Sequence, residues 1–329
     1  MSRSSRRVTT VAHANIALAK YWGKADVERN LPAVPSLSLT LDGLRTRTTV
    51  EPSATAVEDT VLLDGKPASG RALTRVVRLL SDVRALAGTA LHARVETRND
   101  FPTAAGLASS ASGFAALALA AVESVGLELP PAEIGALARR ASASAARSLY
   151  GGFVLLPAGG RYAQPLAPAS HWPLSMLVAV VQTGPKKIGS TLGMSLTAAT
   201  SPYYPAWLEH APALFAEVRD AVLERDVDRL GPAMEQSALC MHASMLAARP
   251  ALTYFCPTTW ALLQAVRDLR EAGVPAYYTI DAGPHVKVLT LPEHEARVGE
   301  ALRAVAGVVS VIACHPGPDA HVAQDESEA

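Results

Sequence analysis

The sequence predicts an α+β protein whose texture changes near residue 185. Three observations carry that reading. Residues 91–97, LHARVET, alternate apolar Leu91, Ala93 and Val95 with polar His92, Arg94 and Glu96, the period of a half-buried strand. Phe114, Leu117, Ala118, Ala121, Val122 and Val125 recur at the spacing of one helix face. Beyond residue 190 a series of helical stretches leads into a strand, turn, strand, helix and strand.

Taken in order, the chain begins with basic MSRSSRR and runs into VTTVAHANIALAKYWGK. The second stretch is strand-like and apolar, yet carries Asn15 and Lys20 before Tyr21, Trp22, Gly23 and Lys24, and its polar residues interrupt any signal-peptide core. The strand at 91–97 is followed by NDFPTAAGLASSASG (99–113) and then by the helix. Strand, small-residue loop and helix together make a setting in which backbone N–H groups and the helix dipole attract an anion. Ser109, Ser110 and Ser112 would add hydroxyls, although the same composition also suits a close-packed helix start. No GxxxxGK[ST] loop occurs.

Pro130 and Pro131 open a second helix with Ile134, Leu137, Ala138 and Ala141 as its stripe. SASAARS (142–148) sets Ser142 and Ser144 near Arg147 at a helix end or tight turn, which fits a carboxylate or phosphate and equally fits helix filler. A Pro- and Gly-rich loop or hairpin precedes a buried strand at 175–182. KKIGST (186–191) offers Lys186, Lys187, Ser190 and Thr191. Helices follow near 205–224, 226–248 and 258–272, the last ended by Gly273. Then come a strand at 275–281, the AGP turn, the strand HVKVLT, a helix near 293–305 and a strand near 308–313. Asp281 closes its strand against a Gly-Pro turn. It is a turn residue or, facing a pocket shared with Lys20 and Arg147, a base for a hydroxyl.

Composition narrows the function classes. Lys+Arg and Asp+Glu are 30 each, so no net basic field draws in nucleic acid or anionic lipid. Cys240, Cys256 and Cys314 lack CxxC spacing and read as neither a disulfide framework nor a zinc site, which implies a reducing compartment. The apolar runs at 114–122 and 176–181 fall far short of a membrane span. The nine histidines show no metal-ligand spacing. The expectation is a cytosolic soluble protein.

Six segments, NIALAKYWGK, FPTAAGLASSASGFAALA, ARRASASAARSLYGGF, GSTLGMSLTAATSP, MHASMLAARP and YYTIDAGP, extend from residue 13 to about 290. In this order and spacing they resemble the mevalonate diphosphate decarboxylases of the GHMP kinase superfamily. The resemblance implies a GHMP kinase-like fold with an N-terminal ribosomal protein S5 domain 2-like domain (1–185) and a C-terminal ferredoxin-like domain (186–329). It implies a cytoplasmic homodimer with its site between the domains, using ATP and Mg²⁺ on a small-molecule substrate. The 3-hydroxyl of mevalonate 5-diphosphate would be phosphorylated, then phosphate and CO2 lost to give isopentenyl diphosphate.

The resemblance also implies residue roles. Pro102, Ala105, Gly106, Leu107, Ala108, Ser109, Ser110 and Ser112 would hold the ATP phosphates, with Ser190 near the transferred one. Asp281 would deprotonate or orient the 3-hydroxyl, Lys20 would stabilise charge beside it, and Arg147 would hold the substrate carboxylate. Tyr21, Lys24, Ser142 and Ser144 would bind the 5-diphosphate. The alternatives are a 5-phosphate or 3,5-bisphosphate decarboxylase, a mevalonate 3-kinase, and a non-catalytic metabolite-binding module. Four departures from the family pattern lie around the substrate end: VPSLS (34–38) for NSSLS, Ala143 for a Gly, His285 for an Asn, and GGFVLLPAGG (151–160) without the acidic and Trp residues that commonly follow GGF.

Overall fold

In the computed structural model, which describes residues 5–101, 109–181 and 188–324, the first half of the chain builds one large sheet backed by helices. Its elements are β1 (Val8–Ala19), a hairpin of β2 (Lys24–Asp26) and β3 (Leu31–Pro32), β4 (Ser36–Ser53), a hairpin of β5 (Thr60–Leu63) and β6 (Lys66–Pro67), α1 (Gly70–Ala87) and β7 (His92–Asn99). Helices α2 (Ser109–Ser124) and α3 (Pro131–Ala141) follow, then a 3₁₀ turn at Ala143–Leu149, β8 (Phe153–Leu156) and β9 (Gln164–Ala167). β7 and α3 lie where the periodicity put them, and α2 begins five residues ahead of its apolar stripe because Ser109–Gly113 continue the helix. Pro102, Ala105, Gly106, Leu107 and Ala108, with Lys186 and Lys187, lie outside the described residues.

The second half supplies β10 (Ser175–Val181), α4 (Ser190–Thr200), α5 (Tyr204–Glu224), α6 (Val227–Leu246) and α7 (Pro257–Glu271). After these come β11 (Ala276–Ile280), β12 (Val286–Thr290), α8 (Glu295–Arg303), β13 (Val308–Cys314) and β14 (His321–Val322). The first sheet runs β14-β1-β4-β7-β5-β6, with β8 and β9 extending from β4. The second is antiparallel throughout, in the order β11-β12-β10-β13. The expected division near 185 thus falls just after β10, whose hydrogen bonds all belong to the second sheet.

Period-two alternation explains how the layers join. Met176, Val178 and Val180 of β10 pack with Ile16, Leu18, Leu37 and Leu39 in a core between the sheets, while Leu177, Ala179 and Val181 pack with α7 and α8 on the other face. A strand buried on both faces reads as the unbroken apolar run SMLVAVV. A separate core lies between the first sheet and α1–α3, built from Val50, Val95, Leu79, Leu117 and their neighbours. β4 shows the same alternation with a polar twist. Leu37, Leu39 and Leu41 enter the inter-sheet core, and buried Ser36, Ser38 and Thr40 occupy the opposite face.

Candidate active site

A cleft of about 680 Å³ is lined by the end of β1, the Tyr21–Lys24 segment, α1, the starts of α2 and α4, the 3₁₀ turn, α6 and the Asp281–Ala282 turn. The YWGK bend that shapes one wall needs its glycine. Gly23 has φ +108°, and a Cβ there would stand 2.0 Å from the Tyr204 hydroxyl oxygen. Lys20, Tyr21, Lys24, Ser142, Ser144, Arg147, Ser109, Ser110, Ser190 and Asp281 all line this cleft. Ser112 does not. Its fully buried hydroxyl is 2.6 Å from Thr46 Oγ1, because one turn along α2 the side chain faces the sheet.

At the floor, Lys20 Nζ donates to Asp281 Oδ1 at 2.6 Å, and Lys287 Nζ lies 2.9 Å from Oδ2. Both lysines are sealed from solvent, whereas the Asp281 side chain keeps 27% exposure. Burial alone would favour a protonated carboxyl, but the two ammonium groups and their hydrogen bonds hold Asp281 well below the usual carboxylate range. Lys20 nevertheless titrates low, near 8. Burial is the main cause and outweighs the charge and hydrogen bond of Asp281, with Lys287 and Arg147 adding smaller effects in the same direction as burial. The main chain of Lys20 is fixed as well, its N–H donating to Ser237 Oγ at 2.9 Å.

Arg147 is 2% exposed and projects from the 3₁₀ turn onto the Ser face of β4. Its Nη1 donates to Ser36 Oγ at 2.7 Å, Nε to Ser38 Oγ at 2.8 Å, and Nη2 to Asn15 Oδ1 at 3.2 Å. Asn15 in turn donates to Ser148 Oγ and the Ser144 carbonyl. Among the described residues no carboxylate hydrogen-bonds to Arg147, and Asp281 acts on it only through space. Burial lowers its pKa to about 10, so it stays cationic at neutral pH. A buried cation held by neutral partners is costly, and a bound anion would complete it.

The mouth of the cleft is cationic. Arg71, Arg75 and Arg78 stand at i, i+4 and i+7 on α1, with Lys24 and Arg140 nearby. Burial and then the charges of Arg71 and Arg75 lower the pKa of Lys24. Arg75 lies over the Phe114 ring, with its Cζ 4.3 Å from the centroid, and donates from Nε and Nη2 to the Ala141 carbonyl at the end of α3. Beside this cluster the Tyr21 hydroxyl is buried with no hydrogen-bond partner among the described residues, and burial keeps it a neutral phenol. Ser142 and Ser144 present hydroxyls 3.4 Å apart. Clustered cations and an unspent donor suit a polyphosphate tail.

Several of these groups were not singled out in the sequence. Lys287 sits in an apolar strand, but alternation with Val286 and Val288 puts it on the face toward β1. The α1 arginines were legible as one helix face. Ser36 and Ser38 were legible as the polar half of SLSLTL. Of the departures, Ala143 lines the cleft, whereas Val34 and His285 are engaged in packing. Val34 is 1% exposed in an apolar cluster with Trp22 and Met194, and His285 Nδ1 accepts the Val181 N–H at 3.1 Å, fully buried.

The chain matches known proteins along nearly its whole length. Residues 12–167 match the diphosphomevalonate decarboxylase-like N-terminal domain, and residues 176–324 the mevalonate 5-diphosphate decarboxylase C-terminal domain. It is 36% identical to a diphosphomevalonate decarboxylase of Aspergillus fumigatus, over 93% of this chain and 82% of that one. It is 35% identical to a phosphomevalonate decarboxylase of Haloferax volcanii, over 98% and 99%. The mevalonate diphosphate decarboxylase structure from Staphylococcus aureus aligns with TM-score 0.92 at 35% identity, over 98% of this chain and 99% of that one. A structure described as MDDEF in complex with MVAPP, AMPPCP and magnesium aligns with TM-score 0.90 at 37% identity, over 98% and 100%.

Proposed function

The chain belongs to the diphosphomevalonate decarboxylase family, and on that premise we propose that it converts mevalonate 5-diphosphate and ATP to isopentenyl diphosphate, ADP, phosphate and CO2. One observation carries the reading: the uncompensated buried Arg147 lines the same cleft as the Lys20–Asp281 pair. A carboxylate on Arg147 places the neighbouring tertiary carbon and its hydroxyl within the same small space as Asp281.

The chemistry follows from these groups. A tertiary alcohol is a poor nucleophile, and Asp281 accepts its hydrogen as the O–P bond forms. Lys20 offsets the negative charge gathering there. Arg147 holds the carboxylate so that the C–C bond is aligned for cleavage. Its electrons become the alkene as the phosphate departs, and CO2 is released. Tyr21, Lys24, Ser142 and Ser144, with Arg71, Arg75 and Arg78, hold the 5-diphosphate. ATP with Mg²⁺ supplies the phosphoryl group. Ser109 and Ser110 at the start of α2 and Ser190 at the start of α4 fit its phosphates, being hydroxyl donors at two helix N-termini on one cleft.

A second reading, mevalonate 5-phosphate as substrate, is favoured by the Haloferax volcanii relative. The crowded cations at the mouth favour the longer tail. We further read the protein as a cytoplasmic homodimer of two domains, each built on its own sheet. Among the described residues no helix is long and apolar enough to cross a membrane, and β13 ends the second sheet with Val309 exposed on an unpaired edge. The test of the activity is a product assay with ATP and mevalonate, its 5-phosphate or its 5-diphosphate. ADP and CO2 should appear in equal amounts with the 5-diphosphate, and Asp281→Asn should abolish both while calorimetry still detects binding. Faster turnover of the 5-phosphate, or binding without products, would sink this reading.

A further inference from the structure

We infer that Lys287 is a positioning residue for this reaction, holding Asp281 ionised and turned into the cleft from the side opposite Lys20. The inference rests on the function proposed above and adds a group that does not line the cleft. Lys287 is fully buried on β12, and its ammonium meets two partners among the described residues, Asp281 Oδ2 at 2.9 Å and the His285 carbonyl at 3.4 Å. The neighbouring side chains of β12, Val286, Val288 and Leu289, are apolar and belong to the two cores. Packing at this position asks for an aliphatic side chain of similar length, so the ammonium is explained by the carboxylate it meets rather than by the core.

The geometry assigns the two lysines different work. Lys20 comes from the end of β1, lines the cleft and takes Oδ1, while Lys287 comes from the second sheet and takes Oδ2 from behind. Each carboxylate oxygen has lone-pair capacity beyond one ammonium, so both stay able to accept from a hydroxyl in the cleft. Without Lys287, Asp281 would be free to turn about its last torsion and close on Lys20. The charged and titratable groups acting at this point are Lys20 on β1, Lys287 on β12, Arg147 on the 3₁₀ turn and His242 on α6. The cations outnumber the single acid, and removing one of the two that touch it leaves Asp281 with half its direct support.

The experiment compares wild type with Lys287→Met, which keeps the aliphatic volume and drops the charge. Release of CO2 and ADP from mevalonate 5-diphosphate is followed across pH at saturating substrate, with thermal melts to verify folding. The expected result is a kcat lowered about tenfold at neutral pH, KM values nearly unchanged, and a new acidic limb in the variant, as Asp281 held by Lys20 alone titrates at higher pH than in the wild type. A superimposable pH profile would show that Lys287 only fills space and overturn the inference. Should Lys287→Met not fold, Lys287→Gln carries the same comparison. Carboxyl-carbon NMR of Asp281, identified by the signal lost in Asp281→Asn, reads the titration without turnover, and an unmoved titration also overturns the inference. A wild type that releases no CO2 defeats the proposed function itself. An active wild type with an unchanged variant profile defeats the role of Lys287 alone.

Discussion

Asp281 shares one negative charge among buried cations, and that imbalance governs how the site responds to pH. Lys20 is the group whose titration lies closest to neutrality, near 8, because burial and the neighbouring charges of Lys287 and Arg147 disfavour its ammonium. Below that pH Lys20 is protonated and can offset charge on the transferring phosphoryl group; above it the ammonium is lost. The rate should therefore fall as pH rises through about 8. A profile of kcat/KM with the 5-diphosphate checks this, and a plateau extending well above that value would remove Lys20 as the responsible group. The acidic side should not report Asp281 in the wild type, since its carboxyl is held far below neutral pH.

At the scale of elements, α1 and β12 show how regular structure aims charge. Two turns of α1 bring Arg71, Arg75 and Arg78 to the cleft mouth, and β12 turns Lys287 toward β1. Arg71 and Arg78 are exposed and carry no structural duty at the floor, so their removal should act on binding. Arg71→Ala or Arg78→Ala is expected to raise KM for the 5-diphosphate about tenfold, as loss of one charge-assisted phosphate contact would, with kcat little changed. The effect should shrink as ionic strength rises, because these charges are exposed to screening ions. Steady-state kinetics at two salt concentrations decide it. A KM unmoved in both variants would place the 5-diphosphate elsewhere.

Over the whole molecule, the site hangs on a core packed between two sheets, so its geometry depends on both staying joined. Two buried histidines make that arrangement sensitive to acid. His13 on β1 and His242 on α6 are each held neutral, with pKa values lowered to about 4, mainly by burial and secondarily by nearby charges. The unfolded chain takes up these protons near 6.5, so between that pH and about 4 it binds more protons than the folded state. Stability should therefore fall as pH drops through this window, by no more than about 3 kcal/mol per histidine. Urea unfolding at pH values across it measures the slope. His13→Gln or His242→Gln should flatten it, and an unchanged slope in both would assign the acid sensitivity to other groups.

Much of the fold was legible in the chain because helices and strands answer to near neighbours. The alternation at 91–97, the 3.6-residue stripes of α2 and α3 and the helical texture of α5–α7 needed no partner to be read, and the six family segments pointed to the cleft residues Lys20, Arg147 and Asp281. β4 and α1 were harder, since serines and threonines fill the buried face of one and arginines the cleft face of the other. Ser112 shows the limit of a motif: its neighbours Ser109 and Ser110 face the cleft, and helical rotation carries it to Thr46.

What the sequence by itself determined was the local structure, the family and the chemical types gathered for the reaction. Only the tertiary structure decided which oxygen of Asp281 each lysine takes, that Arg147 rests on Ser36, Ser38 and Asn15, and that Lys287 belongs to the site. The physical reason is separation along the chain. Lys20 and Asp281 meet across 261 residues, and their contact depends on the pairing and register of strands in two different sheets.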